Sequence, residues 1–228
     1  MGLEALEQFG SSVTVLRDEE LCAPGDAADS CWRVVSGCVR RFEVLDDGRR
    51  HVNAFLLPGD FFGFDDPERQ VFGAEAVITT TLRRYPRSAV AALAESNVAI
   101  SQHLAALTIA NLHAAYQRMV LLGRRTSSER LASFVLEMAR RLGSAAVASV
   151  DLPMGREDIA DYLGLTKETV CRVLTEMGRS GVVRLTRTGI EILMRQELVA
   201  RSGGGGIAKA KQICLQVWRP REARRSAA

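Results

Sequence analysis

Residues 156–177 read Arg-Glu-Asp-Ile-Ala-Asp-Tyr-Leu-Gly-Leu-Thr-Lys-Glu-Thr-Val-Cys-Arg-Val-Leu-Thr-Glu-Met. Two helices that cross steeply need a small residue where they touch, a glycine in the tight turn and an aliphatic residue on the second helix to close the core. Ala160, Gly164 and Val170 meet these requirements in order, and Ile159, Leu163, Leu165, Val173, Leu174 and Met177 supply the interior. The stretch predicts a helix-turn-helix. Thr166 is placed to cap the second helix, with Glu168 near its positive end. With Val170, Val173, Leu174 and Met177 pointing inward, the outward stripe is Lys167, Glu168, Cys171, Arg172, Thr175 and Arg179, which would face the DNA major groove. Arg172 can bind guanine O6 and N7 as a fork. Glu168, one turn earlier, can accept from the cytosine N4 amino group. An exposed i, i+4 ion pair between the two, worth about 0.3 to 0.5 kcal/mol, is the plain alternative.

Beyond Gly181, Val-Val-Arg-Leu-Thr-Arg-Thr-Gly-Ile-Glu-Ile-Leu (182–193) predicts a hairpin turning at Thr188-Gly189, the wing of a winged helix. Arg184 and Arg187 can touch phosphate from it, as Lys167 and Arg179 can from the helix, and ordinary solvated charge is the competing reading for each. On the N-terminal side the texture is different. Glycines 25, 37, 48 and 59 recur every 11 or 12 residues, and short β-rich runs lie between them. That spacing predicts a jelly roll or small barrel. Its strands are Trp32 to Val35, Val39 to Leu45, His51 to Leu56 and Phe61-Phe62, with a hairpin at Asp47-Gly48, then a pair, Val71 to Ile78 and Thr80 to Tyr85.

From about Ser88 to Arg141 there is almost no Gly or Pro, which predicts long helix interrupted at Gly123 to Arg125. Two seams run along its first part. One is Val98, Ala105, Leu112, Met119 with Ser101, Thr108, Ala115, Leu122; the other is Leu104, Leu107, Asn111, Ala114, Arg118, Leu121. Two seams imply two partners, the β domain and the same helix of a second subunit. The second seam is assigned to that homodimer contact, with Asn111 a register-fixing candidate. The competing reading is a core helix of a monomer. The expected class is therefore α+β: a β-roll sensor-like domain (1–90), a dimerisation helix (91–124), a winged helix-turn-helix (125–200) and a flexible basic tail (201–228).

Composition bounds the function. The chain has 228 residues and a formal charge of +3, but residues 1–100 hold 10 basic against 16 acidic side chains and residues 101–228 hold 20 against 11. A basic C-terminal half favours a nucleic-acid partner. Yet residues 151–200 hold 7 basic and 8 acidic groups; the excess lies in 101–150 and in the tail, with 7 against 1. No membrane span and no secretory leader are indicated, so a cytoplasmic protein is expected. Five cysteines, Cys22, Cys31, Cys38, Cys171 and Cys214, fit reduced thiols. No Walker motif, zinc-ligand cluster or Gly-x-Ser-x-Gly supports an enzyme.

A Gly-rich jelly roll, a long helix and a winged helix-turn-helix, in that order, resemble the Crp/Fnr superfamily of transcription regulators, most nearly the FixK type. The resemblance covers about residues 20–200 and is strongest at 34–40, 46–50, 55–63, 127–134 and the helix-turn-helix. It implies that Glu168 and Arg172 read bases, with Cys171 where a serine usually stands. It further implies a homodimer on a palindrome of the TTGAT-N4-ATCAA kind, recruiting RNA polymerase to genes of microaerobic or anaerobic metabolism and nitrogen fixation. Relatives that bind cyclic AMP carry Gly-Glu and then an Arg-Ser or Arg-Thr pair. Here Phe64 follows Gly63, and Glu75 stands in the later region, so no cyclic nucleotide is expected. Relatives with a [4Fe–4S] cluster use three close thiolates and a central one. Cys22, Cys31 and Cys38 are separated by 8 and 6 residues with no central partner, so no cofactor or metal is expected. A ligand-, haem- or Fe–S-dependent sensor of the same superfamily, with His51, His103 or His113 as haem candidates, is the alternative. Cys171, close to Arg172 on the presumed DNA face, is a candidate for oxidation that weakens binding; a neutral serine substitute is the plainer role.

Overall fold

The computed structural model describes residues 4–143 and 149–203. A one-turn helix α1 (Glu4–Glu7) leads into β1 (Ser11–Val15), β2 (Glu20–Cys22), β3 (Ser30–Ser36), β4 (Val39–Val44), β5 (Arg50–Leu56), β6 (Phe61–Phe62), β7 (Gly73–Ala76) and β8 (Thr80–Pro86). Helices α2 (Arg87–Ser96), α3 (Val98–Arg124) and α4 (Ser127–Leu142) follow, then β9 (Ser149–Asp151), α5 (Arg156–Leu163), α6 (Lys167–Arg179), β10 (Val183–Leu185), β11 (Gly189–Ile192) and α7 (Arg195–Arg201). Of the expected tail (201–228), Arg201 is the last residue of α7 and Ser202 caps it, and residues from 204 onward, with Cys214, lie outside the described residues. Among the described residues no helix is long and apolar enough to cross a membrane.

The first eight strands form two four-stranded antiparallel sheets, ordered β1-β8-β3-β6 and β2-β7-β4-β5. Alternate side chains meet between them: Trp32, Val34 and Leu82 from one sheet pack on Val39, Leu56 and Ala76 from the other. The expected hairpin at Asp47-Gly48 joins β4 to β5, closed by Gly48 N–H donating to the Leu45 carbonyl at 2.8 Å. The expected pairing of 71–78 with 80–85 does not occur, because β7 and β8 lie in different sheets. The chain changes sheets between them: Val77 N–H donates to the Cys38 carbonyl, and the Thr80 hydroxyl accepts from Cys38 N–H.

The helical stretch is also broken earlier than expected. Asn97, with extended backbone, ends α2 and caps α3 by accepting from the Ala99 and Ile100 amides at 3.0 and 3.3 Å. A short polar side chain that bonds its own backbone competes with helix continuation, and no Gly or Pro marks the place.

The β-roll and the C-terminal helices share one core. Cys38, Val52, Phe55, Leu57 and Val77 belong to the same buried cluster as Phe134, Met138, Ile159, Tyr162, Leu163 and Leu174. Phe55 of β5 lies 4.9 Å from the Tyr162 ring and 6.3 Å from the Phe134 ring, an aromatic triad across the joint. A carboxylate network runs alongside. Arg40 bonds Glu75 at 2.7 Å, Asp18 at 3.0 Å and Asp158 of α5 at 3.3 Å. Arg50 bonds Asp158 at 2.8 Å and Asp161 at 2.9 Å. Burial works against the Arg40 charge, but Glu75, Asp158 and Asp18 outweigh it and hold its pKa above the ordinary arginine value. Arg141 of α4 adds a further tie by donating to the Phe55 carbonyl at 3.0 Å and to Asp60.

The N-terminal thiols are dispersed. Cys31 packs with Tyr85 and Ile100, Cys38 in the shared core, and Cys22 against the jelly-roll interior. Burial pushes Cys22 up to about 11 and Cys31 and Cys38 up to about 12, so all three are protonated small apolar groups at neutral pH.

Because the core is shared, the described chain should unfold as one unit. Phe55→Ala should lower stability by about 3 to 5 kcal/mol and split a single calorimetric transition into two. A single transition at the wild-type temperature would contradict the shared core.

Candidate nucleic-acid interface

Helices α5 and α6 meet around the residues that the motif predicts. Ala160 and Val170 are buried at the crossing, and Gly164 ends α5 with φ 60°. A Cβ there would make only ordinary contacts, 3.6 Å from Arg130 and 3.7 Å from Leu122, so the demand is for left-handed backbone rather than room. The turn is closed by Leu165 N–H donating to the Ala160 carbonyl at 3.0 Å. Thr166 caps α6 by accepting from the Thr169 amide at 3.2 Å, a contact worth about 1 kcal/mol.

Burial of Val170, Val173, Leu174 and Met177 turns the opposite face outward. Lys167, Glu168, Cys171, Arg172, Thr175 and Arg179 are all exposed on it, and Arg187 is exposed at the wing tip. Glu168 and Arg172 form no ion pair with each other or with any described residue, so the plain i, i+4 pairing is not adopted. Lys167 only grazes Glu157, at 4.0 Å. The Thr175 hydroxyl is turned back to its own helix, donating to the Cys171 carbonyl at 2.9 Å. Arg184, in contrast, is tied across the wing to Glu191 at 2.7 Å. The wing itself is β10 and β11 with β9 alongside. Gly189 is the first residue of β11 rather than part of the turn, and any Cβ there would collide with the Val150 carbonyl of β9.

Two arginines that the sequence does not single out fix this unit to the long helix. Arg130 of α4 donates to the carbonyls of Leu163 at 2.9 Å, Leu122 at 2.7 Å and Arg125 at 2.9 Å. One guanidinium thus spans the end of α3, the α3–α4 joint and the helix-turn-helix turn. Arg118 of α3 stacks 3.5 Å over the Tyr162 ring and donates to the Tyr162 carbonyl at 2.9 Å. Neither role has a sequence signature, since both depend on carbonyls presented by distant helix ends.

The expected dimer seam is engaged in part within the protomer. Leu104 packs on the cluster around Ile100 and Tyr85, Leu121 packs on the shared core, and Arg118 is engaged with Tyr162. Leu107 is half-buried; Asn111 and Ala114 are exposed. Three of its six residues are thus engaged by the chain's own domains, which helical periodicity cannot distinguish from a partner. The opposite face carries the unsatisfied apolar groups: Val98, Ile109, Leu112, Tyr116, Met119 and Val120 are each at least half exposed.

A family model described as a Crp-like helix-turn-helix domain matches residues 129–201, and one described as a cyclic nucleotide-binding domain matches residues 12–97. The region 63–76 of the β-roll is rich in acidic groups. Asp65, Asp66 and Glu68 crowd it with carboxylates; Arg41 is bound to Asp65 at 2.6 Å, and Arg69 donates to the Gly25 carbonyl at 2.9 Å. The Glu75 carboxylate is held by Arg40 in the joint to α5. The nitrogen fixation regulation protein FixK of Azorhizobium caulinodans is 40% identical over 201 residues, spanning 87% of this chain and 81% of that protein. FixK of Bradyrhizobium diazoefficiens is 37% identical, over 84% and 81%. The solved structure of FixK2 from Bradyrhizobium japonicum superposes with a TM-score of 0.82 at 38% identity, over 86% of this chain and 99% of that one. With a jelly roll, a long helix and a winged helix-turn-helix of this geometry, the chain belongs to the Crp/Fnr family of transcription regulators, among its FixK-like members.

Proposed function

We propose that the protein acts as a homodimeric transcription activator that reads a palindrome of the TTGAT-N4-ATCAA kind through α6 and controls microaerobic, anaerobic or nitrogen-fixation genes by recruiting RNA polymerase. The observation that carries this is the placement of Glu168 and Arg172, one turn apart, exposed and without ion-pair partners among the described residues, on the outward face of a capped, rigidly seated α6. Each is thereby available to a G·C base pair rather than to the other. Lys167, Arg179 and Arg187 flank that pair and suit phosphate, while Thr166 acts chiefly as the cap. The carboxylates at 65, 66 and 68 favour regulation without a cyclic nucleotide, and the dispersal of Cys22, Cys31 and Cys38 over separate clusters favours none through an iron–sulfur cluster.

The dimer contact in this reading is the exposed stripe of α3. At 100° per residue, Val98, Ile109, Leu112, Tyr116, Met119 and Val120 fall within about 100° of one another, a seam suited to a second copy of α3. Cys171 stands exposed between the two base readers, where peroxide would convert its thiol to a sulfenic acid with release of water and place new bulk in the groove.

Selection of bound sites from random DNA should return a palindrome with one G·C pair in each half-site, and Arg172→Ala should erase the preference at that pair; non-palindromic or unselected sequences would refute the reading. The double change Leu112→Glu and Met119→Glu should give a monomer in sedimentation and lose the palindrome, whereas a surviving dimer would move the contact elsewhere. Peroxide should weaken binding of the wild type but not of Cys171→Ser in gel shifts, and equal responses would remove the thiol from regulation.

A further inference from the structure

Between β6 and β7 the chain runs from residue 63 to residue 72 without helix or strand. Three consecutive residues of this segment reach three different elements. Phe64 packs in the cluster that holds Val90 of α2 and Ile100 and Leu104 of α3. The Asp65 carboxylate is held by Arg41 of β4 at 2.6 Å, and the Asp66 carbonyl accepts from Arg87, the first residue of α2. The segment is also braced internally. The Asp66 carboxylate accepts from the amides of Glu68 and Arg69 at 2.8 and 3.0 Å, and Ala28 N–H donates to the Glu68 carbonyl at 2.9 Å. Whatever fixes Asp65 therefore fixes the start of α2 and of α3 as well.

Arg41 is an unusual residue to find at this place. Successive side chains of a strand point to opposite faces, so Arg40 reaches Asp158 in the joint to α5, whereas Val39 and Arg41 share the face turned to the other sheet. The Arg41 guanidinium lies 4.6 Å over the Phe72 ring, and its side chain is only 12% exposed. A cation so covered needs a counter-ion, and among the described residues Asp65 is the carboxylate paired with it. No other ion pair among the described residues ties 63–72 to β4. The bond thus does two things that a bound anion would do: it neutralises an inward-facing cation, and it draws the segment onto β4. Phe64 and Arg87 carry that position to α2 and to the first turns of α3, where the outward stripe begins at Val98.

We propose that the Arg41–Asp65 pair is an internal substitute for an anionic effector: the chain's own carboxylate holds 63–72 on β4 and so fixes the attitude of α2 and α3 in which the stripe of α3 meets a second copy. This deepens the reading of regulation without a cyclic nucleotide and rests on it. Without that carboxylate, dimer formation depends on a small anion supplied from solution.

The test follows the full chain by sedimentation, for the dimer, and by hydrogen exchange over residues 87–104, in chloride and in acetate at one ionic strength. In chloride, Asp65→Ala should dimerise about 10-fold more weakly than the wild type, a coupling of ordinary size between two sites, and residues 87–104 should exchange faster. Acetate is a carboxylate small enough to take the vacated place. It should restore the variant relative to the wild type in the same buffer. Adding Arg41→Ala to Asp65→Ala should cost nothing further and should abolish the response to acetate, because the two residues act as one unit. Asp65→Asn keeps the side-chain volume without the charge, so it should show the loss in both salts, which provides a reading if the alanine variant folds poorly. Wild-type dimerisation and exchange in either Asp65 variant would remove the pair from control of α3, and a loss in Asp65→Ala that acetate leaves untouched would reduce it to a structural ion pair; each result overturns the proposal. A wild type whose DNA affinity rises with added cyclic AMP would sink the reading without a cyclic nucleotide instead, while sedimentation and exchange, which use neither DNA nor nucleotide, still score Arg41 and Asp65 by themselves.

Discussion

The geometry of this protein depends on one buried carboxylate. Asp158 accepts from the Gly155 amide at the start of α5 and from Arg40 and Arg50 of the β-roll. It thereby closes the helix end and bolts that helix to the opposite domain. Buried charges of this kind are tolerated only when each is fully partnered, and removal of one partner costs about 3 to 5 kcal/mol. The aromatic triad of Phe55, Phe134 and Tyr162 supplies the apolar half of the same joint. Its surface is non-directional, whereas the ion pairs set the angle. Together they hold α5 at a fixed attitude to the jelly roll, and α6 follows through the Gly164 turn.

That joint also explains why counting charges misleads. Residues 151–200 balance to nearly zero in the sequence, which argues against a DNA-binding segment. Much of the acidity is consumed internally: Asp158 and Asp161 by β-roll arginines, Glu191 by Arg184 and Glu197 by Arg201. What remains on the outward face of α6 is Lys167, Arg172 and Arg179 against Glu168 and Glu176. Local field follows from which charges are paired, not from their sum.

The helix-turn-helix was legible because its constraints are local. Ala160, Gly164, Thr166 and Val170 each answer a requirement that lies within one turn of their own backbone, so spacing alone identifies them. The jelly roll was legible at its hairpins for the same reason, as at Gly48. Where the expectation fails, the deciding partner is remote. Nothing in 71–86 announces that β7 and β8 join different sheets, because Val77 and Thr80 are held there by Cys38, some 40 residues earlier in the chain. The two seams of α3 are equally apolar, and only the rest of the fold decides that Leu104 and Leu121 face home while Leu112 and Met119 face outward. Arg118 and Arg130 were invisible for the same cause: each is defined by the carbonyls that other helices present to a guanidinium.

Arg130 carries a consequence for the proposed dimer. Its single planar head reaches the last turn of α3 at Leu122, the Arg125 joint and the carbonyl end of α5 at Leu163. The distance from the two-fold axis along α3 to each recognition helix is therefore a rigid arm rather than a hinge. A pair of such arms is a ruler, and the number of base pairs separating the two half-sites is written in the length of α3 between its partner-facing stripe and Leu122. A residue inserted in that stretch would swing each arm by about 100° and lengthen it by about 1.5 Å. The two heads would then be out of step with a duplex whose grooves repeat every 10 to 10.5 base pairs.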